Sequence, residues 1–527
     1  MIHSRLIVVI IFLVNVALSA CSSLPMPVVN IACDYDHSAE VYHYGYDDLH
    51  SNSVIGACFA AKAQASKLTL DRELTQDIAS HMPLYIKWNG DRYLILIFRE
   101  GSIGLYSLTK NKITEKVRIT AVNQPVGHGT FSLAYDSDNQ IVYGIFYENK
   151  NDSREHTLFA YSLPTKKIQT VRVPLENIYS YSKQEQKREI LRTINCRTSL
   201  EIISIRSEKY LSFGCSFSRR RIAFHRNDQG FRGVYLQFPL KKTGEISERK
   251  YRVFFPSKII KGDLRTGIDT SLWNSGAGPI LTKERLILAT GNGPVIPEHE
   301  NYGCSVLALN PFTLKPINGQ YIVAPQKECH KSDLDLASSS IAATYLDEEG
   351  KELWGAVTGK DGILKVFDIN DFSKQFRIKP VDASDIYWTS GQPAIFSFEN
   401  KAYVFFSIAT GSSVHALLIR FDSSGKWETV WKKIIKGVSH GGMNPLIVRK
   451  NNSQIDGAVV IAFRSTETIA GSSDQGTGSV IHVFDLKTGK ILFAQAVPES
   501  AGYFSVPLLV DDKIYFSTRE HLILTLH

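Results

Sequence analysis

Two histidines beside glycines are the first residues of this chain that could do acid–base chemistry. His128 lies between Gly127 and Gly129, and His440 follows Ser439. Hydrolysis by serine and histidine also needs a serine on a Gly-x-Ser-x-Gly turn and an acid that orients the histidine. The sequence contains no such turn, and histidines in ordinary turns are the alternative. It also contains no P-loop, EF-hand or His-Glu-x-x-His motif, so phosphate transfer and zinc proteolysis are not predicted.

The N-terminal segment indicates a different chemistry, the acylation of a cysteine. Arg5 precedes an apolar run over residues 6–17, which is short for a membrane-spanning helix of about 20 residues. The segment ends in Leu18-Ser19-Ala20-Cys21, which resembles a bacterial lipobox. The resemblance implies that residues 1–20 are a signal peptide and that Cys21 becomes an N-terminus carrying palmitate-type acyl chains. An uncleaved anchor and a plain secretory leader are the alternatives.

The residue after Cys21 implies a cellular location for the anchored protein. Attachment by more than one acyl chain anchors a protein stably, whereas a single chain does not. The bacterial sorting rule retains a lipoprotein at the inner membrane when Asp follows the acylated cysteine. Ser22 stands there instead, so the rule implies a lipid anchor in the outer membrane with the protein on the periplasmic face.

Six further cysteines fit an oxidising compartment. An even number of cysteines in such a compartment predicts disulfides, and six cysteines allow 15 pairings. We predict pairing between near neighbours, because each bridge then closes a loop of about 20 to 25 residues. The predicted bridges are Cys33–Cys58, Cys196–Cys215 and Cys304–Cys329. A metal site is not predicted, since no histidines lie at ligand spacing from these cysteines, and no Cys-x-x-Cys occurs.

The composition indicates an all-β protein. The chain has 527 residues, with 23 Tyr and 27 Phe but only 4 Met. Aromatic and β-branched residues favour strands. A single core rarely serves so long a chain, but a repeat fold can bury each unit on the next. The net charge of +8 is small for this length and does not predict a nucleic-acid partner.

A repeated hairpin organises the chain. Residues 478–493 read GSVIHVFDLKTGKILF: a β-rich run, a turn from Asp485 to Gly489, and a return strand. Asp485 can bond its own backbone, and Gly489 can adopt the positive φ of a bulged hairpin. Shorter copies begin at Gly104, Gly303 and Gly362, and weak copies of one unit predict a repeat architecture.

The count of units predicts a β-propeller of eight four-stranded blades. Seven complete units are followed by three C-terminal strands, and a strand from the N-terminal part completes the eighth blade and closes the ring. The predicted propeller domain spans residues 76–527. Residues 21–75 form a lipidated tether and an irregular segment with a short helix within Ala57 to Leu74. A β-helical solenoid and two stacked sandwiches are the alternatives.

The repeat resembles that of pyrroloquinoline-quinone-type propellers, Gly-x-x-x-Ala-Leu-Asp-x-x-Thr-Gly-x-x-x-Trp, with Phe493 at the position of the tryptophan. Two other stretches resemble quinoprotein runs. One joins residues 271–279 to Ala-Thr-Gly-Asn-Gly-Pro at 289–294, and the other is Ser-Asp-Leu-Asp-Leu-Ala-Ser-Ser at 332–339. The resemblance covers residues 82–527.

The resemblance implies a catalytic alternative. In quinoprotein dehydrogenases a calcium ion holds the quinone and polarises its carbonyl, and a carboxylate is the base. Asn292 matches the asparagine ligand, and Asp333 or Asp335 matches the region of the base. The sequence lacks the adjacent cysteine pair and a match for the glutamate ligand, and it has only six Trp. The alternative is that Asn292 is a turn residue and that the two aspartates cap a hairpin.

The sequence supports two alternative predictions of function. The favoured prediction is a non-catalytic scaffold without cofactor, which binds other envelope proteins of an assembly or secretion machinery. Its contacts would come from loops at 179–189, 219–230 and 465–476. The alternative is a periplasmic dehydrogenase of alcohols or sugars that depends on pyrroloquinoline quinone and calcium.

Overall fold

The computed structural model describes most of the chain from Ser53 to His527. The described residues are 53–65, 68–74, 83–98, 100–119, 133–150, 153–175, 194–196, 198–218, 231–248, 250–257, 270–272, 277–293, 295–323, 336, 341–347, 349–381, 386–389, 391–410, 413–439, 443–467, 469, 478–500, 505–518 and 523–527. They belong to one compact unit, residues 35–527. No helix among them is long and apolar enough to span a membrane.

The described chain begins with a strand, a helix and a second strand, which are Ser53–Ile55 (β1), Ala57–Gln64 (α1) and Leu70–Leu74 (β2). Blades 1 and 2 follow, each an antiparallel sheet of four consecutive strands. Blade 1 is Leu84–Trp88 (β3), Asp91–Ile97 (β4), Ser102–Ser107 (β5) and Lys112–Arg118 (β6). Blade 2 is Leu133–Asp136 (β7), Ile141–Lys150 (β8), Ser153–Ser162 (β9) and Ile168–Arg172 (β10).

Blades 3 to 5 repeat the pattern, and blade 4 carries an inserted hairpin. Blade 3 is Glu201–Ile205 (β11), Glu208–Ser218 (β12), Phe231–Pro239 (β13) and Arg252–Phe254 (β14). Blade 4 is Ile280–Leu281 (β15), Leu286–Ala289 (β16), Ser305–Leu309 (β19) and Pro316–Val323 (β20), with the hairpin Val295–Ile296 (β17) and Asn301–Tyr302 (β18) around a 3₁₀ turn at Pro297–His299. Blade 5 is Ala342–Tyr345 (β21), Leu353–Thr358 (β22), Leu364–Asp368 (β23) and Gln375–Ile378 (β24).

Blades 6 and 7 each have an extra short strand. Blade 6 is Ala394–Phe398 (β26), Lys401–Thr410 (β27), Ser413–Phe421 (β28) and Trp427–Lys436 (β29), and Ile386–Thr389 (β25) also pairs with β27. Blade 7 is Leu446–Arg449 (β31), Gly457–Ser465 (β32), Ser479–Asp485 (β33) and Ile491–Val497 (β34), and Val438–Ser439 (β30) pairs with β32.

Blade 8 joins the two ends of the described chain. Leu508–Val510 (β35), Lys513–Ser517 (β36) and Ile523–Leu526 (β37) form three strands, and β2 is the fourth. β2 runs antiparallel to β37, with Leu70 opposite Leu526. The prediction of eight blades closed by an N-terminal strand is therefore confirmed. β2 precedes residue 76, where the propeller domain is predicted to begin.

Apolar clusters between consecutive blades hold the ring together. Buried side chains of blades 1 and 2 share one cluster, those of blades 2 and 3 the next, and the series continues round to blades 7, 8 and 1. Each blade thus buries one face on each neighbour, which is how a repeat fold stabilises a long chain without one large core.

The strand order gives the disc two distinct faces. Connections from first to second strand and from third to fourth strand lie on one face, here called the turn face. The starts of first and third strands and the ends of second and fourth strands lie on the opposite face, here called the loop face. The first strand of each blade lies nearest the central axis, as in other propellers, and first strands of neighbouring blades contact one another.

The N-terminal segment is built into this disc. β1 pairs in parallel with the first strand of blade 7, with Ser53 opposite Ile447, on the edge that otherwise faces the axis. α1 then packs across the strands of blade 7, with Phe59 fully buried. Lys62 forms an ion pair with Asp512, in the first turn of blade 8. The chain therefore passes from the loop face along the axis to the turn face before β2 completes the rim.

The repeated hairpin has the predicted turn, and a tryptophan from the preceding blade covers it. The Asp485 carboxylate accepts hydrogen bonds of 2.7 Å from both the N–H and the O–H of Thr488, and Gly489 has φ +65°. Trp431 on β29 donates its indole N–H to the Leu486 carbonyl at 2.8 Å. A Cβ atom added to Gly489 would lie 2.5 Å from the Trp431 ring. Glycine is therefore required both by the turn and by the indole.

Candidate functional site

Asn292, the predicted cofactor-binding residue, lies on the loop face of blade 4, between β16 and β17. Its side chain is 2% exposed. Its backbone carbonyl accepts a 3.0 Å hydrogen bond from the N–H of Ser271, and the N–H of Gly291 donates to the Ser271 carbonyl at 2.9 Å. These two bonds fasten the chain that enters blade 4 to the loop and fix the backbone at Asn292.

Two glycines near Asn292 allow backbone segments to touch. A Cβ atom on Gly303 would lie 2.1 Å from the Gly293 carbonyl oxygen, and one on Gly293 would lie 2.4 Å from the Thr270 hydroxyl oxygen. Any larger residue would force the loop apart. Gly293 and Gly303 are therefore required for the close packing of this loop.

Asp333 and Asp335, the predicted alternatives for the catalytic base, lie outside the described residues. The neighbouring Leu336 is described and is fully buried in the cluster between blades 4 and 5. A Cβ atom on Gly359 would lie 2.9 Å from the Leu336 side chain. The residue after Asp335 therefore packs against the loop between the second and third strands of blade 5.

That loop of blade 5 carries a buried ion pair that the sequence reasoning missed. The Lys365 Nζ lies 2.8 Å from the nearer carboxylate oxygen of Asp361, and the Lys365 side chain is only 2% exposed. Burial lowers the pKa of Lys365, and the negative charge of Asp361 opposes that shift. Lys360, beside the pair, is 9% exposed. The available signal was a lysine between the apolar residues Leu364 and Val366 of strand β23.

A buried carboxylate marks the boundary of blades 3 and 4. Glu201, at the start of β11, accepts a 2.7 Å hydrogen bond from the Ser199 hydroxyl and is 5% exposed. A Cβ atom on Gly278 would lie 1.8 Å from a Glu201 carboxylate oxygen. Glu201 thus depends on a glycine of the next blade for its space.

Hydrogen bonds near the axis link the starts of successive blades on the loop face. The Gln392 side-chain N–H donates to the Ile341 carbonyl at 3.1 Å, and its backbone N–H donates to the Asn444 side chain at 2.8 Å. The Asn444 N–H donates to the Ser505 carbonyl at 2.8 Å. These bonds connect blades 5, 6, 7 and 8 in order, so the loop face has a rigid polar centre.

The described residues alone do not form a metal site. No group of three or more His, Cys, Asp or Glu side chains within the described ranges is arranged to hold an ion. The roles of Asn292, Asp333 and Asp335 in cofactor binding and catalysis stay predictions.

Two of the six predicted disulfide cysteines are seen joined. Cys215 on β12 of blade 3 forms a disulfide with Cys196. Cys304 is also disulfide-bonded, and its predicted partner Cys329 lies outside the described residues. Cys21 and Cys33 lie outside them too, as does the side chain of Cys58, so their acylation and pairing stay predictions. His128, His440 and most of the three predicted contact loops also fall outside the described ranges.

Comparisons with solved structures return β-propellers. A quinohemoprotein alcohol dehydrogenase from Comamonas testosteroni matches 93% of this chain and 78% of its own, with a TM-score of 0.52 and 12% identity. BamB from Moraxella catarrhalis matches 87% of this chain and 97% of its own, with a TM-score of 0.43 and 10% identity. The C-terminal WD40 domain of Sif2 gives the same coverages, with a TM-score of 0.43 and 11% identity.

These similarities establish a shared fold, and they do not establish an activity, a ligand or a partner. No protein-family model matches the sequence, and no curated protein matches it. At 12% identity the likeness to the alcohol dehydrogenase concerns the fold alone, and one fold can host unrelated functions, so the fold does not decide between an enzyme and a binding protein.

Proposed function

We propose that this chain is a lipoprotein of the outer membrane, anchored through Cys21, whose propeller is a non-catalytic scaffold for other envelope proteins on the periplasmic side. The observation that carries the proposal is the course of the N-terminal segment, residues 53–65 and 68–74. This segment joins the axis of the disc to its rim and forms the last strand of the ring. A tether that begins at Cys21 would therefore hold a rigid disc, and such a disc suits a scaffold.

The anchor is tested by metabolic labelling of the full chain with an alkyne fatty acid. The wild-type chain should take up the label and fractionate with outer membranes, whereas Cys21→Ala should do neither. Ser23→Ala is the matched control and should behave as the wild type. An equally labelled Cys21→Ala chain would contradict the lipoprotein assignment.

The scaffold role is tested by crosslinking in cells and affinity recovery from detergent-solubilised membranes. Wild-type chain should recover the same few envelope proteins in repeated experiments, and the recovery should weaken when Cys21→Ala removes the chain from the membrane. Recovery of no protein beyond the level of a tag-only control would count against a scaffold.

A quinone- and calcium-dependent dehydrogenase of alcohols or sugars is the second candidate. The observation that favours it is the presence of buried Asn292 and buried Lys360 in corresponding loops of adjacent blades on one face. When bound, the quinone would accept hydride from the alcohol. Asn292 and one of Asp333 and Asp335 would be the residues that this chain offers to calcium and to the substrate proton.

Calorimetric titration with pyrroloquinoline quinone and calcium separates the two candidates. Stoichiometric binding that Asn292→Ala abolishes would favour the dehydrogenase. Asn310→Ala is the matched control, because Asn310 caps a turn of the same blade on the opposite face. Absence of binding at high micromolar quinone favours the scaffold.

A further inference from the structure

The outer strand of blade 6 differs from the outer strands of the other blades. β29 has ten residues, and the outer strands of the other blades have three to eight. It is the last strand of its sheet, so within the described part of the chain no strand pairs with its outer edge. Such an edge presents a row of backbone N–H and C=O groups that another strand can bind.

The side chains along this edge combine an apolar residue with positive charge. Ile434 is 58% exposed, the highest value among the large apolar residues that the structure describes. Lys432 and Lys436 are both exposed and lie two residues to either side, so all three side chains project from the same face of the strand. Lys433 is exposed as well.

These lysines carry uncompensated charge. The ion pair of this strand within the described ranges joins Glu428 to Arg420 at its beginning. Lys432, Lys433 and Lys436 form no ion pair with any described residue. On the neighbouring strand β28, His415 faces Ile434, and Leu417 faces Lys432. The middle and end of the edge are therefore positively charged.

Lysines on an edge strand commonly serve to prevent unwanted pairing. A purely protective edge would have no reason to expose a large apolar side chain between two of them. Ile434 offers contact area to an incoming strand, while Lys432 and Lys436 select its charge. In strand addition, main-chain bonds supply affinity and alternate side chains supply specificity.

We propose that the outer edge of β29 is a docking site for an extended acidic segment of a partner protein, which adds to blade 6 as a further strand. The matching pattern is acidic–x–apolar–x–acidic, with the apolar residue against Ile434 and the acidic residues against Lys432 and Lys436. Because the lysines flank Ile434 symmetrically, the pattern fits a parallel or an antiparallel partner. The inference deepens the proposed scaffold role by giving the chemistry of one partner.

The test is fluorescence anisotropy with the full mature chain and a labelled peptide of nine residues, Thr-Thr-Glu-Thr-Val-Thr-Glu-Thr-Thr. The wild-type chain should bind it, and Lys432→Glu with Lys436→Glu should weaken binding by about tenfold or more, since two attractions become repulsions. A peptide with Lys in place of both Glu should show the reverse preference. This exchange of charge keeps the test informative, because a misfolded variant would not gain affinity for the basic peptide.

Matched controls separate strand addition from general charge attraction. Lys315→Glu with Lys242→Glu changes two exposed lysines in turns of blades 4 and 3 and should leave binding unchanged. A peptide of the same composition in which the alternation is broken should bind at least about tenfold more weakly, because it cannot pair with the edge in register.

Several outcomes would overturn the proposal. These are no binding at several hundred micromolar peptide, equal binding of the broken pattern, and equal loss in the control variant. Binding that appears only when residues 22–52 are deleted would show that the chain's own segment occupies the edge. A variant that loses affinity for vesicles with anionic phosphatidylglycerol, but never bound the peptide, would assign the lysines to a lipid surface. Crosslinking in cells with affinity recovery tests the scaffold role separately, so the docking site and the scaffold role can fail independently.

Discussion

The two faces of the disc are built differently. On the turn face, one chemistry recurs in blade after blade: Asn310, Asp422 and Asp485 each accept hydrogen bonds from backbone N–H groups of their own turn. On the loop face, neighbouring blades differ. Blade 4 inserts a hairpin after Asn292, and blade 5 buries the pair of Lys365 and Asp361.

The difference shows which part of a repeat protein is free to vary. The turns must reverse the chain within a few residues and receive side chains of the adjacent blade, so their residue types are constrained. The loops on the other face need not all have the same short turn, so single blades there carry an inserted hairpin or a buried ion pair without opening the ring. Loops on a rigid frame are where proteins commonly place function.

The largest loss of folding stability should come from removing the tryptophan that covers the turn of blade 7. Trp431 is 7% exposed and packs against Phe405 and Phe484, besides its hydrogen bond to Leu486. We expect Trp431→Ala to lower the free energy of unfolding by about 3 to 5 kcal/mol, because it leaves a cavity between blades 6 and 7. Urea unfolding followed by circular dichroism measures the change.

Trp427 is the matched control for this prediction. It lies on the same strand, but 40% of it is exposed, so Trp427→Ala should cost less than about 1 kcal/mol. Equal losses for the two variants would show that docking of one blade on the next turn is not what stabilises the turn face.

A smaller effect on the free energy of unfolding should come from a buried histidine on the third strand of blade 2, near the loop face. His156 on β9 is 2% exposed, opposite Tyr147 on β8. Burial, with a contribution from the positive charge of Arg154, lowers the pKa of His156 to about 3. The unfolded chain has the ordinary value of about 6.5 and therefore binds the proton more readily as the pH falls below that value.

Stability should consequently decline from about pH 6.5 downward, and the decline continues until the folded state itself titrates. At pH 5 this one histidine should lower the free energy of unfolding by about 2 kcal/mol relative to its value at neutral pH. His156→Phe removes the titration and should flatten the curve of unfolding free energy against pH by that amount. Parallel curves for the variant and the wild type between pH 7 and pH 5 would contradict the assignment.

The ring of blades could be predicted from the sequence because residues close together in the chain specify each strand and each turn. The hairpin at 478–493 shows its strands and its turn in one short stretch, and the structure places β33, β34 and the positive φ of Gly489 there. Closure by an N-terminal strand followed from counting three strands at the C-terminus. The hydrophobic pattern and the turn residues were sufficient for both.

Contacts between blades could not be read in the same way. That Trp431 covers the turn at Leu486 depends on the rotation from one blade to the next, which no local pattern records. The pair of Lys365 and Asp361 was not predicted, because the strand pattern does not record that a lysine side chain is buried beside an aspartate four residues earlier. The path of β1 along blade 7 was missed because three residues carry too little pattern to predict a strand.

The smallest effect tests whether the turn itself needs its acidic residue. Asp485→Ala removes the acceptor for both bonds from Thr488. Asp485 is half-buried, but Thr488 is exposed and can bond to water once the carboxylate is gone, so we expect a loss of about 1 kcal/mol. Lys487→Ala in the same turn changes an exposed side chain that has no role in closing it, and should stay within about 0.5 kcal/mol of wild type. If Asp485→Ala were as neutral as Lys487→Ala, the turn face would owe its regularity to glycine and to the covering tryptophan rather than to the repeated acceptor.

Since Gly489 and Trp431 would then act together, Gly489→Ala in the Trp431→Ala background should cost less stability than Gly489→Ala alone. The double-mutant cycle measures that coupling directly.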